Sequence, residues 1–151
     1  TATKALAMTD LAKKRPEFRN INAFKDLTTY RMTIGAWVSI LHRGSGAILF
    51  LMLPLLVWMF DTSLSSEFSF ARFKAAFESG LGFVPGWLFK LVTLGIIWAY
   101  LHHACAGIRH LWMDVDHGSI SKSFAKSSAL VSLAVSLGLT AALGAKLFGV
   151  Y

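Results

Sequence analysis

The sequence predicts an all-α membrane protein with three transmembrane helices, and three observations carry that prediction. Hydrophobic residues fill 55% of the 151 positions and charged residues only 15%, with a mean hydropathy of +0.56, whereas soluble domains are about a quarter charged. Three apolar runs, about Ile34 to Phe60, Pro85 to Met113 and Ser127 to Phe148, each reach the roughly 20 residues needed to cross hydrocarbon. Basic residues gather ahead of the first run, with seven of the fifteen Lys and Arg inside the first 31 positions.

Residues 1–32 read as a polar arm containing Lys13-Lys14-Arg15-Pro16 and no apolar stretch of the kind a secretory signal carries. Asp10, Glu17 and Asp26 match an acid-poor mitochondrial transit peptide badly. A bacterial inner membrane is therefore the expected location, with the mitochondrial inner membrane as second choice. The formal net charge of +7 is concentrated at one end, which fits positive-inside topology better than a nucleic-acid surface. No nucleic-acid partner is expected, only membrane lipid and other membrane subunits. The arm, Lys122 and Lys126 fall on one side of the membrane, against Arg72 and Lys74 on the other, so the N-terminus is expected in the cytoplasm. Cys105 stands alone and there is no CxxCH, which removes internal disulfides and c-type haem attachment. Cys105 is expected to behave as a small buried hydrophobe.

The first span is purely apolar from Ala47 to Phe60, where Pro54 is expected to kink it. Its first half reads SILHRGSG, and Ser39, His42, Arg43 and Gly46 share a helical face about 100° wide. An arginine inside a span costs roughly 2.5 kcal/mol or more unless it meets an anion or water. Asp61 to Val84 is expected to be an outer loop with a short amphipathic turn at Phe70 to Phe77 and no chemistry. The third span repeats Ser128, Ser132, Ser136, Thr140 and Gly144 at four-residue spacing, a stripe suited to close helix packing. Lys146 can snorkel to the outer surface. The short segment from Asp114 to Lys126 makes spans two and three antiparallel neighbours.

The second span carries the richest chemistry, LHHACAGIRHLWMD from Leu101 to Asp114. Gly107, His110 and Asp114 fall within about 40° of His103 on one face, whereas His102 points about 100° away. A histidine followed four residues later by glycine suits a flat macrocycle, because His103 offers a ring nitrogen to iron and Gly107 leaves room for the ring. A histidine that only hydrogen-bonds across a helix interface would look the same in this segment. His42 and Arg43 lie about 12 to 14 Å deep in span one and His103 about 15 Å deep in span two, counted from the same surface. A b-type haem there would have its iron on His103 and its propionates near His42 and Arg43, supplying the anion Arg43 needs. Ser39, one turn nearer the surface, can donate to a quinone carbonyl, or simply pack between helices. Arg43 can stabilise the reduced quinone, with His110 or Asp114 as a route for protons.

SILHRGSG in span one and HxxxGxRHLxxD from His103 to Asp114 resemble the cytochrome b556 subunits of succinate dehydrogenase, the larger hydrophobic anchors of respiratory complex II. The three-span plan, the length and Arg15-Pro16 also fit. The arm departs from the family's RPxSPH-like opening, reading Arg15-Pro16-Glu17-Phe18-Arg19 here. The resemblance implies half of a haem-bearing helix bundle completed by a second anchor subunit. It implies that His103 is one axial ligand of a shared haem b, that His42 and Arg43 contact propionates, and that Ser39 and Arg43 help line a ubiquinone site. Succinate would be oxidised on a flavoprotein subunit and electrons delivered through an iron-sulfur subunit. Two rivals remain: the anchor of a quinol:fumarate reductase, and a haem-free proton-relay or transport subunit.

Overall fold

A computed structural model describes residues 22–29, 31–116 and 121–151 of the chain. The Lys13-Lys14-Arg15-Pro16 run and His117 lie outside the described residues. The chain divides into two compact units, residues 1–31 and 32–151. In the first, helix α1 (Ala23–Thr29) is started by Asn22, whose side chain accepts from the Phe24 and Lys25 backbone N–H groups at 3.1 and 3.3 Å. The second unit holds α2 (Ile34–Leu64), α3 (Glu67–Glu78), α4 (Gly86–Val115) and α5 (Lys122–Leu147). Three of these, α2, α4 and α5, are long and apolar enough to cross a membrane.

Helix α2 starts where Thr33 caps it, its hydroxyl accepting from the Ala36 N–H at 3.3 Å. It runs through Pro54 as one helix of 31 residues, about 46 Å at 1.5 Å per residue, and ends at Leu64 rather than Phe60. At that end Thr62, Ser63 and Ser65 donate their hydroxyl protons back to the Trp58, Phe60 and Asp61 carbonyls at 2.7 to 2.8 Å. Each hydroxyl is thereby satisfied within the helix.

The segment expected as an outer loop is largely helical. Ser66 and Ser69 form a reciprocal cap, each hydroxyl accepting from the other's backbone N–H at 3.0 to 3.1 Å, and α3 follows for 12 residues. Phe77 of α3 meets Phe73 and, across the interface, Phe89 of α4, with ring centroids 5.0 and 6.1 Å apart. The return to α4 is a tight turn in which Leu81 and Val84 exchange backbone hydrogen bonds at 2.9 and 3.0 Å. Gly80 adopts φ +98°, and a Cβ there would run into the Val84 carbonyl.

Helix α5 begins at Lys122, where Ser121 accepts from the Phe124 N–H at 3.2 Å, so the stretch read as loop up to Lys126 supplies a basic first turn. Its small-residue stripe is the packing face. Ser132, Ser136, Thr140 and Gly144 are buried and Ser128 is half-buried. The Ser132 hydroxyl donates to the Cys105 carbonyl at 3.3 Å, and a Cβ on Gly144 would come 2.7 Å from a Leu94 methyl. The buried apolar residues are small, Val38, Ala99, Ala106 and Ala129, while Phe50, Leu51, Trp58 and Val131 face outward. That inversion suits hydrocarbon, where close backbone approach and internal hydrogen bonds hold helices together and lipid accepts the large apolar side chains.

Candidate functional site

Two helices bring three histidines together. The His42 ring of α2 stacks on the His103 ring of α4, with centroids 4.2 Å apart and planes 8° from parallel. His110, two turns further along α4, is tilted against His42 at 5.2 Å. His103 Nδ1 lies 3.0 Å from the His42 backbone carbonyl, which also accepts from the buried Ser45 hydroxyl at 2.9 Å. A carbonyl can only accept, so Nδ1 is the donor, and in the neutral tautomer this fixes, Nε2 is the nitrogen with a lone pair. The helix face inferred from spacing is thus joined to the SILHRGSG face at one height, as the depth count requires.

Glycine makes the contact possible. A Cβ on Gly46 would stand 2.7 Å from His103 Cε1, so no larger residue fits at 46 without moving the imidazole. Gly107 faces the other histidine, since a Cβ there would come 3.4 Å from His42 Nε2. Spacing places Gly46 on the face of His42 and Gly107 on the face of His103, but which ring each glycine meets depends on how the helices cross.

The remaining expected residues ring this cluster. Arg43 is exposed on α2 and forms no ion pair among the described residues, yet lies within electrostatic reach of His42 and His110. Ser39 is half-buried one turn away on the same helix. Asp114 is exposed and within electrostatic reach of His110.

Two further residues emerge from the fold. His102 is wholly buried among the long helices, beside the Val38 backbone and stacked on Trp98 with ring centroids 5.2 Å apart. Neither of its ring nitrogens, nor Trp98 Nε1, makes a hydrogen bond of good geometry among the described residues, the Val38 backbone being the nearest polar group to the imidazole. Arg109 is 8% exposed and fastens α4 to α5, its Nε donating to the Ser128 hydroxyl at 3.0 Å and a terminal nitrogen to the Ala125 carbonyl at 3.2 Å. The sequence signal for Arg109 was its position about 120° around α4 from His103, on the side where the serine stripe packs.

Among the described residues no three His, Cys, Asp or Glu side chains converge as ligands for a bare metal ion. A single half-buried imidazole with its proton held on Nδ1 is the donor that an iron already carrying four porphyrin nitrogens requires. The Arg43 guanidinium, close to that imidazole's partner, suits the carboxylates such a ring carries. The residues present therefore fit a b-type haem.

The sequence profile of the family described as succinate dehydrogenase/fumarate reductase transmembrane subunit matches residues 13–143. The succinate dehydrogenase cytochrome b556 subunit of Paracoccus denitrificans is 31% identical over 114 residues, 75% of this chain and 82% of the relative. That of Coxiella burnetii is 37% identical over 90 residues, covering 60% and 67%. That of Rickettsia felis is 29% identical over 92 residues, covering 61% of this chain and 65% of the relative. With a profile spanning most of its length and a relative of this similarity, the chain belongs to the family of succinate dehydrogenase and fumarate reductase transmembrane subunits.

Proposed function

We propose that this chain is the haem b-binding anchor of a succinate dehydrogenase, helping to pass electrons from iron-sulfur clusters to ubiquinone at the membrane. The observation that carries the reading is the His103 imidazole, whose Nδ1–H is committed to the His42 carbonyl and whose Nε2 is left to bind iron. His42 and Arg43 would hold the propionates. When bound, haem b supplies a one-electron store beside the quinone site.

The residues of this chain act by binding and orienting. Ser39 would donate a hydrogen bond to one quinone carbonyl, and Arg43 would stabilise negative charge that develops as the quinone is reduced. His110 and Asp114, within electrostatic reach of each other, would carry protons to the quinone from the nearer surface. That surface is the cytoplasmic one in this reading, because the basic arm and the Lys122 turn lie on it. A second anchor subunit would provide the other axial ligand. The flavoprotein and iron-sulfur subunits would oxidise succinate and deliver the electrons. No residue of this chain would touch succinate.

A reduced-minus-oxidised visible spectrum of the purified complex tests this directly. A b-type band that appears on adding succinate is expected, and a colourless complex would instead favour a proton-relay subunit. The family's description also covers fumarate reductases, so the direction needs its own measurement. Reconstitution with ubiquinone and with menaquinone separates them, and a clear menaquinol preference would favour the reverse reaction.

A further inference from the structure

Arg109 stands beside His110 in the chain but turns toward α5, about 120° around α4 from His103. Trp112 is about 180° and Ile108 about 140° around α4 from His103. They and Arg109 form one wall of an open groove of about 520 Å³ whose other wall is Phe124, Val131 and Val135 of α5. Apart from Arg109, Cys105 and the serine hydroxyls, the groove is lined by apolar side chains, and Ile108, Trp112 and Val131 are 60 to 67% exposed on its outward side.

The guanidinium has no counter-ion among the described residues. Two of its N–H donors go to neutral acceptors, the Ser128 hydroxyl and the Ala125 carbonyl, out of the five a guanidinium offers. Lys74 pairs with Glu78 within α3. A cation so placed in a membrane protein calls for an anion. Arg109 stands six residues before the end of α4 at Val115, about 9 Å along the helix, near where hydrocarbon gives way to headgroups in a bilayer about 40 to 45 Å thick. Trp112, one turn nearer the surface, has the aromatic character of an interface anchor.

We infer that the α4–α5 groove is a binding site for one anionic phospholipid, with its phosphate on Arg109 and an acyl chain along Ile108, Val131 and Val135. The guanidinium supplies a planar fork for phosphate oxygens, and the apolar walls below it continue in the direction an acyl chain takes. A zwitterionic lipid offers the same chain with less net charge, so the site distinguishes lipids by headgroup. This inference does not depend on haem or quinone.

The test uses the intact purified complex, delipidated in detergent and then offered an equimolar mixture of phosphatidylglycerol and phosphatidylcholine. Native mass spectrometry counts the lipids retained. The wild type is expected to hold one more phosphatidylglycerol than Arg109→Gln, with about a tenfold preference over phosphatidylcholine, which corresponds to 1.4 kcal/mol. Arg109→Lys should retain the preference at lower affinity. Val131→Trp fills the groove without touching the Arg109 hydrogen bonds, and it should expel the lipid even if Arg109→Gln fails to assemble. Equal retention by wild type and Val131→Trp, or no headgroup preference in the wild type, would overturn the inference. So would a map of the complex with a neighbouring subunit's helix seated in the groove.

Discussion

His102 lies wholly buried among the long helices with neither ring nitrogen in a hydrogen bond of good geometry among the described residues, whereas His103, the next residue, is half-buried with Nδ1 fixed on a carbonyl and its ring stacked on His42. One residue of helix rotation separates a fully buried imidazole from one held at the α2–α4 contact. Burial alone would point to His102, whereas the proposed ligand is His103. An imidazole that is to ligate needs one nitrogen satisfied by the protein and the other free, together with a neighbour small enough to admit it, and His103 has all three.

The comparison can be broken most sharply by exchanging each histidine. His103→Ala is expected to lower haem content at least about a hundredfold, beyond the 10 to 100-fold typical of losing a supporting contact, as read from the b-type band per complex. His102→Leu should leave the band in place and the melting temperature of the complex unchanged or raised, because it replaces an unsatisfied buried polar ring with an apolar side chain. Loss of the band in His102→Leu alone would reverse the assignment.

Gly46→Val comes next. The first carbon of its side chain would already stand 2.7 Å from His103 Cε1, and overpacking of this kind costs about 1 to 3 kcal/mol. Haem retention should fall by about 5 to 100-fold with His103 still present, measured as haem per complex after gel filtration. Arg43→Gln should lower kcat/KM for ubiquinone by about 10 to 100-fold, the range expected for losing a hydrogen bond to a charged group, and Arg43→Lys should recover part of it. The smallest effect belongs to Ser39→Ala, a loss of about 3 to 10-fold in the same assay, matching one neutral hydrogen bond.

The spans were legible in the sequence because lipid demands long unbroken apolar runs, and the Ser132–Gly144 stripe was legible because four-residue spacing keeps small groups on one helix face. Helix α3 was not, since its cap pairs Ser66 with Ser69 in place of the more telling Glu or Gln, and its phenylalanines mimic a short turn. The start of α5 was hidden in the same way by the polar, basic turn after Ser121. Within the site, angular spacing gave the face shared by His103 and His110 and the depth shared with His42. It could not give the stacking of two rings, the partner of Nδ1 or the part played by Gly46, all of which depend on the crossing of α2 and α4. Arg109 is visible as a residue and silent as a role, because one partner, Ala125, lies in a turn whose sequence reads as loop and the other, Ser128, reads only as part of a packing stripe.

The most direct measurement is a map of the intact membrane complex at a resolution that shows what lies against His103 and Arg43. A porphyrin is expected there, with its iron on His103 Nε2 and its propionates reaching His42 and Arg43. Lipid or packed side chains filling that space, or iron bonded to His102, would contradict it.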